Sequence, residues 1–220
     1  MNVAIIVPTL SRPHALGPLV SNLRIVTPPV YRLCFVVDPD DRASHEELAQ
    51  LGHAPEVMVL GEGGTYPEKT NAGAAATDEP LLLPTADDVV FHPGWYEAAL
   101  AHFEAGAAVV GTSDLTPATA KGRHATMPLL TRAYMEDPGA VHGEPGIVFH
   151  PGYHHNFVET ELWQLACHRG VAVFEPAAVI EHRHPSWGTA EVDDTYRRGA
   201  LTGWEADKAL FEQRMARWKS

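Results

Sequence analysis

Two groups of aspartates are the first residues of this 220-residue sequence that suggest chemistry. Asp38, Asp40 and Asp41 follow one apolar, strand-like stretch, and Asp87 and Asp88 follow another. If these stretches are parallel strands of one sheet, both groups converge at its carboxyl edge, where ligands bind. Facing negative charges destabilise a fold unless a cation lies between them, and Mg²⁺ and Mn²⁺ prefer carboxylate oxygen. The pattern therefore predicts a divalent-metal site; the alternative is that Asp87 caps a helix and Asp88 faces water.

A second set of acidic and imidazole side chains occurs later in the sequence. Glu159 and Glu161 open a predicted helix, and His182 and His184 close a predicted strand. Residues two apart on a strand point to the same side, so both imidazoles can face one site. His182 could then supply a nitrogen ligand to a metal held by Asp88, with His184 as the rival ligand.

The elements that must position these residues alternate between strand and helix, which predicts an α/β fold of right-handed βαβ units with a mainly parallel sheet. Short apolar runs are typical of strands buried on both faces. The predicted strands are 3–7, 31–37, 57–60, 81–84, 107–112, 171–174 and 179–182. The predicted helices are 14–25, 43–51, 68–76, 93–105, 158–168 and 193–220. The region 113–156, rich in Gly, Pro and His, is predicted to form irregular loops around a site.

The last predicted helix has an apolar face. We expect that face to dock on the domain or on another copy of the chain, which would make a homo-oligomer. Its members are Ala200, Trp204, Phe211, Met215 and Trp218. The basic residues of the same helix, Arg214 among them, are expected to lie on a solvated face.

The composition limits the classes of partner. The net charge of −12 repels phosphates, which argues against nucleic acid and anionic membranes as partners. No apolar stretch approaches the length of a membrane span, and the first residues lack the features of a signal peptide. A cytoplasmic protein is therefore expected, with Cys34 and Cys167 as buried thiols and no disulfide framework.

Five segments, taken in order, resemble family-2 glycosyltransferases of the GT-A fold. They are Val3–Asp41, Thr65–Ala76 with its Asn-x-Gly, Leu81–Trp95 with its acidic motif and Pro-Gly-Trp turn, Phe157–Gly170 with its acidic-x-acidic-Leu helix, and Val179–Trp187 with its histidine. The resemblance implies one GT-A (Rossmann-like) domain at 1–190, with helices flanking a mainly parallel central sheet. Within it, 1–112 would be the nucleotide-sugar-binding half and 113–190 the acceptor or catalytic half. A C-terminal helical tail at 191–220 would follow.

The resemblance also implies a role for each matching residue. Seven residues would bind the nucleotide sugar: Pro8, Thr9 and Asp38 at the nucleoside, Arg12, Lys69 and Asn71 near the nucleotide, and Asp87 at the ribose or donor sugar. Asp88 would coordinate Mn²⁺ or Mg²⁺ with His182. Glu159 best matches the carboxylate that acts as general base, and Glu161 is its rival. The implied reaction is inverting, metal-dependent transfer of a sugar from a nucleotide-diphosphate donor, with UDP-sugars as the family expectation. The acceptor would be a glycan, a small molecule or a polymer.

Two departures from the family pattern keep other functions open. Ala86 stands where the acidic motif often has a further acid, and the candidate bases are glutamates where the family commonly has aspartate. A non-catalytic sugar-nucleotide or glycan-binding module is therefore one alternative. A metal-dependent nucleotidyltransferase is another, although such enzymes typically have a glycine-rich loop after the first strand. The corresponding turn here, Pro8-Thr9-Leu10-Ser11-Arg12, contains no glycine.

Overall fold

A computed structural model describes residues 1–51, 56–117, 119, 122–193, 195, 197 and 203–219 of the chain. Within them an eight-stranded sheet is flanked by helices on both faces. The strands are β1 (Val3–Thr9), β2 (Tyr31–Val37), β3 (Val57–Gly61), β4 (Leu81–Pro84), β5 (Val89–Phe91), β6 (Val109–Ser113), β7 (Pro128–Thr131) and β8 (Ala172–His182). The helices are α1 (Pro13–Val26), α2 (Arg42–Gln50), α3 (Tyr66–Ala75), α4 (Trp95–Glu104), the short α5 (Arg132–Tyr134), α6 (Val158–His168) and α7 (Trp204–Trp218).

The sheet is mixed, in the strand order β3-β2-β1-β4-β7-β6-β8-β5. β1 pairs in parallel with β2 and β4, and β2 pairs in parallel with β3. β7 lies antiparallel between β4 and β6, and β8 lies parallel to β6. The predicted α/β fold with a mostly parallel central sheet is confirmed, and strands β3, β2, β1 and β4 form its parallel half.

Burial on both sides explains why β1 is apolar from Val3 to Pro8. All seven of its residues are buried, and alternate residues enter two separate cores. Ile5 packs with α1 and α4 on one face, whereas Ile6 packs with α3 and α6 on the other. Gly73 explains the Asn-x-Gly of α3, because a Cβ there would lie 2.5 Å from the side chain of Ile6. The glycine thus permits α3 to approach the strand that leads into the site.

Three parts of the strand prediction were wrong. β5 and β7 were not predicted, because runs of three and four residues carry little periodic signal. The predicted strands 171–174 and 179–182 are one strand, β8, whose register shifts between Thr112 and Ser113 of β6. The first part of β8 pairs with β6, and its last residues pair antiparallel with β5, where His182 lies opposite Val89.

The C-terminal helix docks on its own domain. Phe211 and Trp218 of α7 are buried as predicted, but Trp204 is half exposed and Ala200 lies outside the described residues. Arg214, expected on a solvated face, is buried instead, and it faces α6. None of the described helices combines the length and the apolar character that crossing a bilayer requires. Of the two thiols, Cys34 is buried as predicted, whereas Cys167 is exposed.

Candidate active site

A cavity of about 480 Å³ opens at the carboxyl ends of β1 and β4. The end of β1, the first turns of α3 and α6 and the end of β8 all border it. Predicted site residues that line it are Pro8, Thr9, Arg12, Lys69, Asp87, Asp88, Glu159, His182 and His184. Residues from both halves of the sheet therefore meet at one place, as expected for an α/β sheet that binds its ligand at the strand ends.

Asp87 and Asp88 are held by side chains of the chain itself. Asp87 is buried; its Oδ2 accepts a hydrogen bond of 2.5 Å from Thr9 Oγ1, and its Oδ1 lies 2.9 Å from Arg12 Nη1. The same Nη1 donates to Asp88 Oδ2 at 2.8 Å. The alternative of a helix cap and a water-facing carboxylate is therefore wrong, because β5 follows this pair and both carboxylates point inward. Burial, and then the charge of Asp88, raise the pKa of Asp87.

Arg12 is the cation between the two carboxylates in this structure. Its Nε and Nη2 donate to the carboxylate of Asp193 at 2.7 and 3.1 Å, so one guanidinium contacts three aspartates. Asp193 belongs to the segment after β8, and Thr195 of the same segment donates to the Leu10 carbonyl at 2.7 Å. The segment that follows β8 is therefore tied across the β1–α1 loop at the edge of the cavity. The sequence contains no local signal for this pairing, since Arg12 and Asp193 are 181 positions apart.

Asp88 and His182 form the pair that could hold a metal. Asp88 Oδ1 is buried, lies 3.3 Å from His182 Nε2, and receives no well-aligned hydrogen bond from the described part of the chain. Burial alone would raise the pKa of Asp88, but the imidazole of His182 and the guanidinium of Arg12 outweigh it and hold the pKa at about 2. An ionised, orphaned oxygen beside an imidazole nitrogen is a donor set suited to Mn²⁺.

Among the described residues, Asp88 and His182 are the candidate ligands that lie together. No cluster of three or more His, Cys, Asp or Glu side chains able to hold a metal occurs among the described residues. The ring of His184 lies 5.0 Å from that of His182, but its Nδ1 accepts from the backbone of Ser186 and caps the turn after β8. The geometry therefore favours His182 over His184 beside Asp88.

Glu159 borders the same cavity from the first turn of α6. Burial raises the pKa of its carboxyl to about 7, although the charge of His182 and a hydrogen bond from Tyr66 oppose the rise. A carboxyl group with this pKa exchanges its proton near neutral pH, which suits a general base. Tyr66, whose ring lies 5.3 Å from that of His155, was not singled out by the sequence analysis.

Glu161 does not reach the cavity. Its carboxylate accepts from Arg214 Nε at 2.9 and 3.0 Å and from the Tyr153 hydroxyl at 2.7 Å, and the side chains of both ion-pair partners are 4% exposed. Two residues that are two positions apart on a helix point to nearly opposite sides, so Glu159 and Glu161 cannot share a site. Glu161 joins α6 to α7, and this structure corrects the prediction that it rivals Glu159.

The second-strand aspartates and Asn71 are engaged outside the cavity. Lys69, which is buried, donates to Asp38 Oδ2 at 2.7 Å and to the Thr9 carbonyl at 3.1 Å. Asp41 caps α2 through Ser44, and Asp40 is exposed. The second-strand aspartates are therefore absent from the cavity lining, and Lys69 joins Asp38 to the end of β1. Asn71 holds the backbone at 148–149, accepting from two amides at 2.9 and 3.0 Å and donating to the Phe149 carbonyl.

The chain is similar to known proteins in both sequence and fold. The profile of glycosyl transferase family 2 matches residues 4–148, well over half of the chain. No curated protein matches the sequence. Three solved structures have the same fold at low sequence identity. A mannosyltransferase from Pyrobaculum calidifontis, in complex with GDP-Man and Mn²⁺, is 13% identical with a TM-score of 0.68, over 86% of this chain and 58% of its own.

The two other structures give a similar result. TarS from S. aureus, residues 1–349 in complex with UDP-GlcNAc, is 12% identical with a TM-score of 0.64, over 90% of this chain and 64% of its own. Glucosyl-3-phosphoglycerate synthase from Mycobacterium tuberculosis, in complex with Mn²⁺, UDP and glucosyl-3-phosphoglycerate, is 14% identical with a TM-score of 0.58, over 83% of this chain and 72% of its own. The present chain thus spans less than two thirds of the mannosyltransferase and of the TarS chain. On the family match and the shared fold, the chain belongs to glycosyl transferase family 2 and adopts the GT-A fold.

Proposed function

We propose that this chain transfers a sugar from a nucleoside-diphosphate donor to an acceptor hydroxyl, with a divalent metal and inversion at the anomeric carbon. The proposal rests on one observation: two kinds of functional group line the same cavity. One is the Asp88–His182 pair, with an orphaned carboxylate oxygen, and the other is Glu159, with a pKa near neutrality. Metal-assisted departure of a phosphate group and removal of a hydroxyl proton need these two kinds of group.

Glu159 is the base in this proposal. An alcohol is a poor nucleophile, so its proton must pass to a carboxylate as the bond to the sugar forms. Attack by the hydroxyl opposite the leaving diphosphate inverts the anomeric configuration. Glu159 lines the cavity, and burial raises the pKa of its carboxyl to about 7. Glu161 is already paired with Arg214, which makes it a poor proton acceptor.

Asp88 and His182 would hold Mn²⁺ or Mg²⁺. When bound, the ion would neutralise charge that develops on the departing diphosphate. With two protein ligands, the other ligands would come from the donor and from water, so metal and donor should bind cooperatively.

The donor would replace contacts that the chain now makes with itself. Arg12 and Lys69 line the cavity and are paired with aspartates, so a diphosphate must exchange with those carboxylates to reach either cation. Pro8 and Thr9 at the end of β1 would contact the nucleoside, with Asp38 beside Lys69 and Asp87 nearer the ribose or sugar. Asn71 would act indirectly, through the 148–149 backbone. Two of the similar structures contain UDP or UDP-GlcNAc and one contains GDP-Man, so UDP-sugars are the first donors to test and GDP-sugars the second.

The division of the chain follows from the same assignment. Residues 1–112 would bind the nucleotide sugar and 113–190 would shape the acceptor side, with 191–220 as a helical tail that packs on the domain. The acceptor would be a glycan, a small molecule or a polymer that presents a hydroxyl to Glu159.

A donor-binding module without transferase activity is the second candidate. The observation that favours it is Arg12, whose Nη1 donates to both Asp87 and Asp88 and so neutralises carboxylate charge that a metal would otherwise neutralise. The two candidates differ in whether bound donor is turned over.

Thermal stability and nucleoside-diphosphate release, measured with a panel of sugar nucleotides with and without Mn²⁺, test the proposal. A ligand that binds the folded state raises the melting temperature by mass action. We expect a metal-dependent rise with one donor, loss of that rise in Asp88→Asn, and no loss in Asp78→Asn, which changes an exposed aspartate. A rise without product release in the presence of any acceptor would favour the binding module, and release of a sugar 1-phosphate from the sugar nucleotide would indicate nucleotidyl transfer. No rise with any donor would refute the proposal.

A further inference from the structure

The backbone of residues 154–156 is held by a carboxylate from the C-terminal helix. Asp207, in the first turn of α7, is 2% exposed. Its Oδ1 accepts from the backbone N–H of His154 at 2.8 Å, and its Oδ2 accepts from those of His155 and Asn156 at 3.0 and 2.8 Å. The side-chain amide of Asn156 adds a contact of 3.3 Å. Three successive backbone donors therefore end on one buried side chain, an arrangement that fixes the path of that segment.

The segment that Asp207 holds is part of the cavity wall. His154 and His155 line the cavity, and the ring of His155 packs against Tyr66. Phe157, which follows the 154–156 segment, has a left-handed backbone with φ of 67°, and through it the chain turns into α6. Glu159 follows in the first turn of that helix. A shift of the 154–156 backbone would thus move both the histidine wall and the entry into the helix that carries the carboxylate.

We propose that Asp207 is a positioning residue for the acceptor side of the site. The inference rests on the proposed function, in which Glu159 removes the acceptor proton. An acceptor hydroxyl must lie within hydrogen-bonding reach of that carboxylate. His154 and His155 line the same cavity as Glu159, so an acceptor held there would border their side chains. By holding their backbone, Asp207 sets the acceptor's position relative to Glu159 without touching the substrate.

The contacts that dock α7 on the domain differ from those that hold the 154–156 backbone, so mutations can separate the two effects. Phe211 packs against Phe157 with ring centroids 5.3 Å apart, and Arg214 pairs with Glu161. These two contacts hold the helix on the domain. Asp207, in contrast, bonds directly to the backbone of the cavity-lining histidines.

Asp207→Asn is the test variant, because it keeps the size of the side chain but replaces an accepting oxygen with an N–H₂ group. Amide hydrogen exchange at 154–157 should become about tenfold faster or more, while exchange in the middle of α7 stays unchanged. In transfer assays kcat should fall about 10- to 100-fold and the acceptor KM should rise, because a misplaced acceptor loses near-attack geometry. The donor KM should stay within about twofold of the wild type, since the donor side of the cavity is formed by other elements. Asp207→Glu, which retains the carboxylate, should recover part of the loss.

Arg169→Gln is the matched control for a general loss of stability. Arg169 follows the opposite end of α6 and donates to the Gly139 carbonyl at 2.6 Å and to the Tyr134 hydroxyl at 2.9 Å. Its loss should lower the melting temperature without changing acceptor KM relative to donor KM. Unchanged exchange at 154–157 in Asp207→Asn would overturn the inference, as would equal increases in the two KM values or the same kinetic split in Arg169→Gln. A wild-type protein that transfers no sugar would refute the proposed function, and with it the acceptor role, whereas the exchange result separately decides whether Asp207 holds the segment.

Discussion

Replacing Glu159 with glutamine removes the proton acceptor of the proposed reaction and also removes an ionisable group whose charged form is disfavoured in the fold. Burial raises the pKa of this carboxyl from 4.5 to about 7. A rise of that size corresponds to at most about 3 kcal/mol of folding free energy once the group is ionised in both states. The glutamine side chain is neutral at every pH, so the variant does not incur this loss.

The sign of the effect depends on pH. Because the folded pKa of Glu159 lies above the unfolded value, the wild type is least affected below pH 4.5 and loses stability as the pH rises from 4.5 to about 7. Glu159→Gln and the wild type should therefore melt together at pH 4. At pH 8 the variant should melt up to about 6–12 °C higher, at two to four degrees per kcal/mol for a chain of this size.

Calorimetry across this pH range and a transfer assay at pH 8 test the prediction together. Transfer by Glu159→Gln should fall by about 10²- to 10⁴-fold, the usual contribution of a general base. Glu46→Gln, which changes an exposed glutamate on α2, should alter neither the pH dependence of melting nor the rate. Equal melting temperatures of Glu159→Gln and wild type at pH 8 would refute the burial argument, and undiminished transfer would refute the assignment of the base.

Three further predictions concern Asp88, His182 and the C-terminal helix. Arg12→Gln should tighten Mn²⁺ binding in the absence of donor by about tenfold or more, because it frees the carboxylates that Arg12 contacts. Lys69→Gln should change the affinity less than about threefold, and equal changes of affinity in the two variants, measured by titration calorimetry, would mean that only net charge matters. The charge of the neighbouring Asp88 carboxylate outweighs burial and raises the pKa of His182, so Mn²⁺ binding at pH 6 should release about one proton. Equal calorimetric enthalpies in buffers of different ionisation enthalpy would contradict a histidine ligand. Arg214→Met should lower the free energy of unfolding by about 3–5 kcal/mol, because it leaves Glu161 buried without its cation, and adding Glu161→Gln should restore most of it; denaturant titrations of the two variants giving equal stability would argue against the ion pair.

The parallel half of the fold could be predicted from the sequence because each of its strands is a continuous apolar run. β1, β2 and β4 are buried along most or all of their length, and burial on both faces leaves a local signature. β5 and β7 left no such signature, because each is short and is defined by its pairing with a distant strand. The union of two predicted strands into β8 likewise depends on β6 and β5, which the sequence of β8 does not encode locally.

Part of the candidate site could likewise be predicted from the sequence, and part of it could not. Asp87, Asp88, Glu159 and His182 were placed correctly at one cavity, because strand ends and a helix start determine their positions. Their partners could not be found, since these contacts join residues far apart in sequence. The pairing of Glu161 with Arg214 spans 53 positions, and it decides which glutamate faces the cavity.

The two-part pairing of β8 has a consequence for how the chain tolerates changes in length. Val89 lies opposite His182, and the Arg183 N–H donates to the Asp88 carbonyl at 2.9 Å, so strand register determines the separation of Asp88 and His182. Pro176 and Ala177, between the two pairings, are exposed and absorb the register shift. An insertion at this bulge would be taken up as a longer surface loop and leave Asp88 and His182 together. A single residue inserted between positions 180 and 182 would instead turn the imidazole to the opposite face of the sheet, so a peptide tag or sensor loop belongs at 176–177.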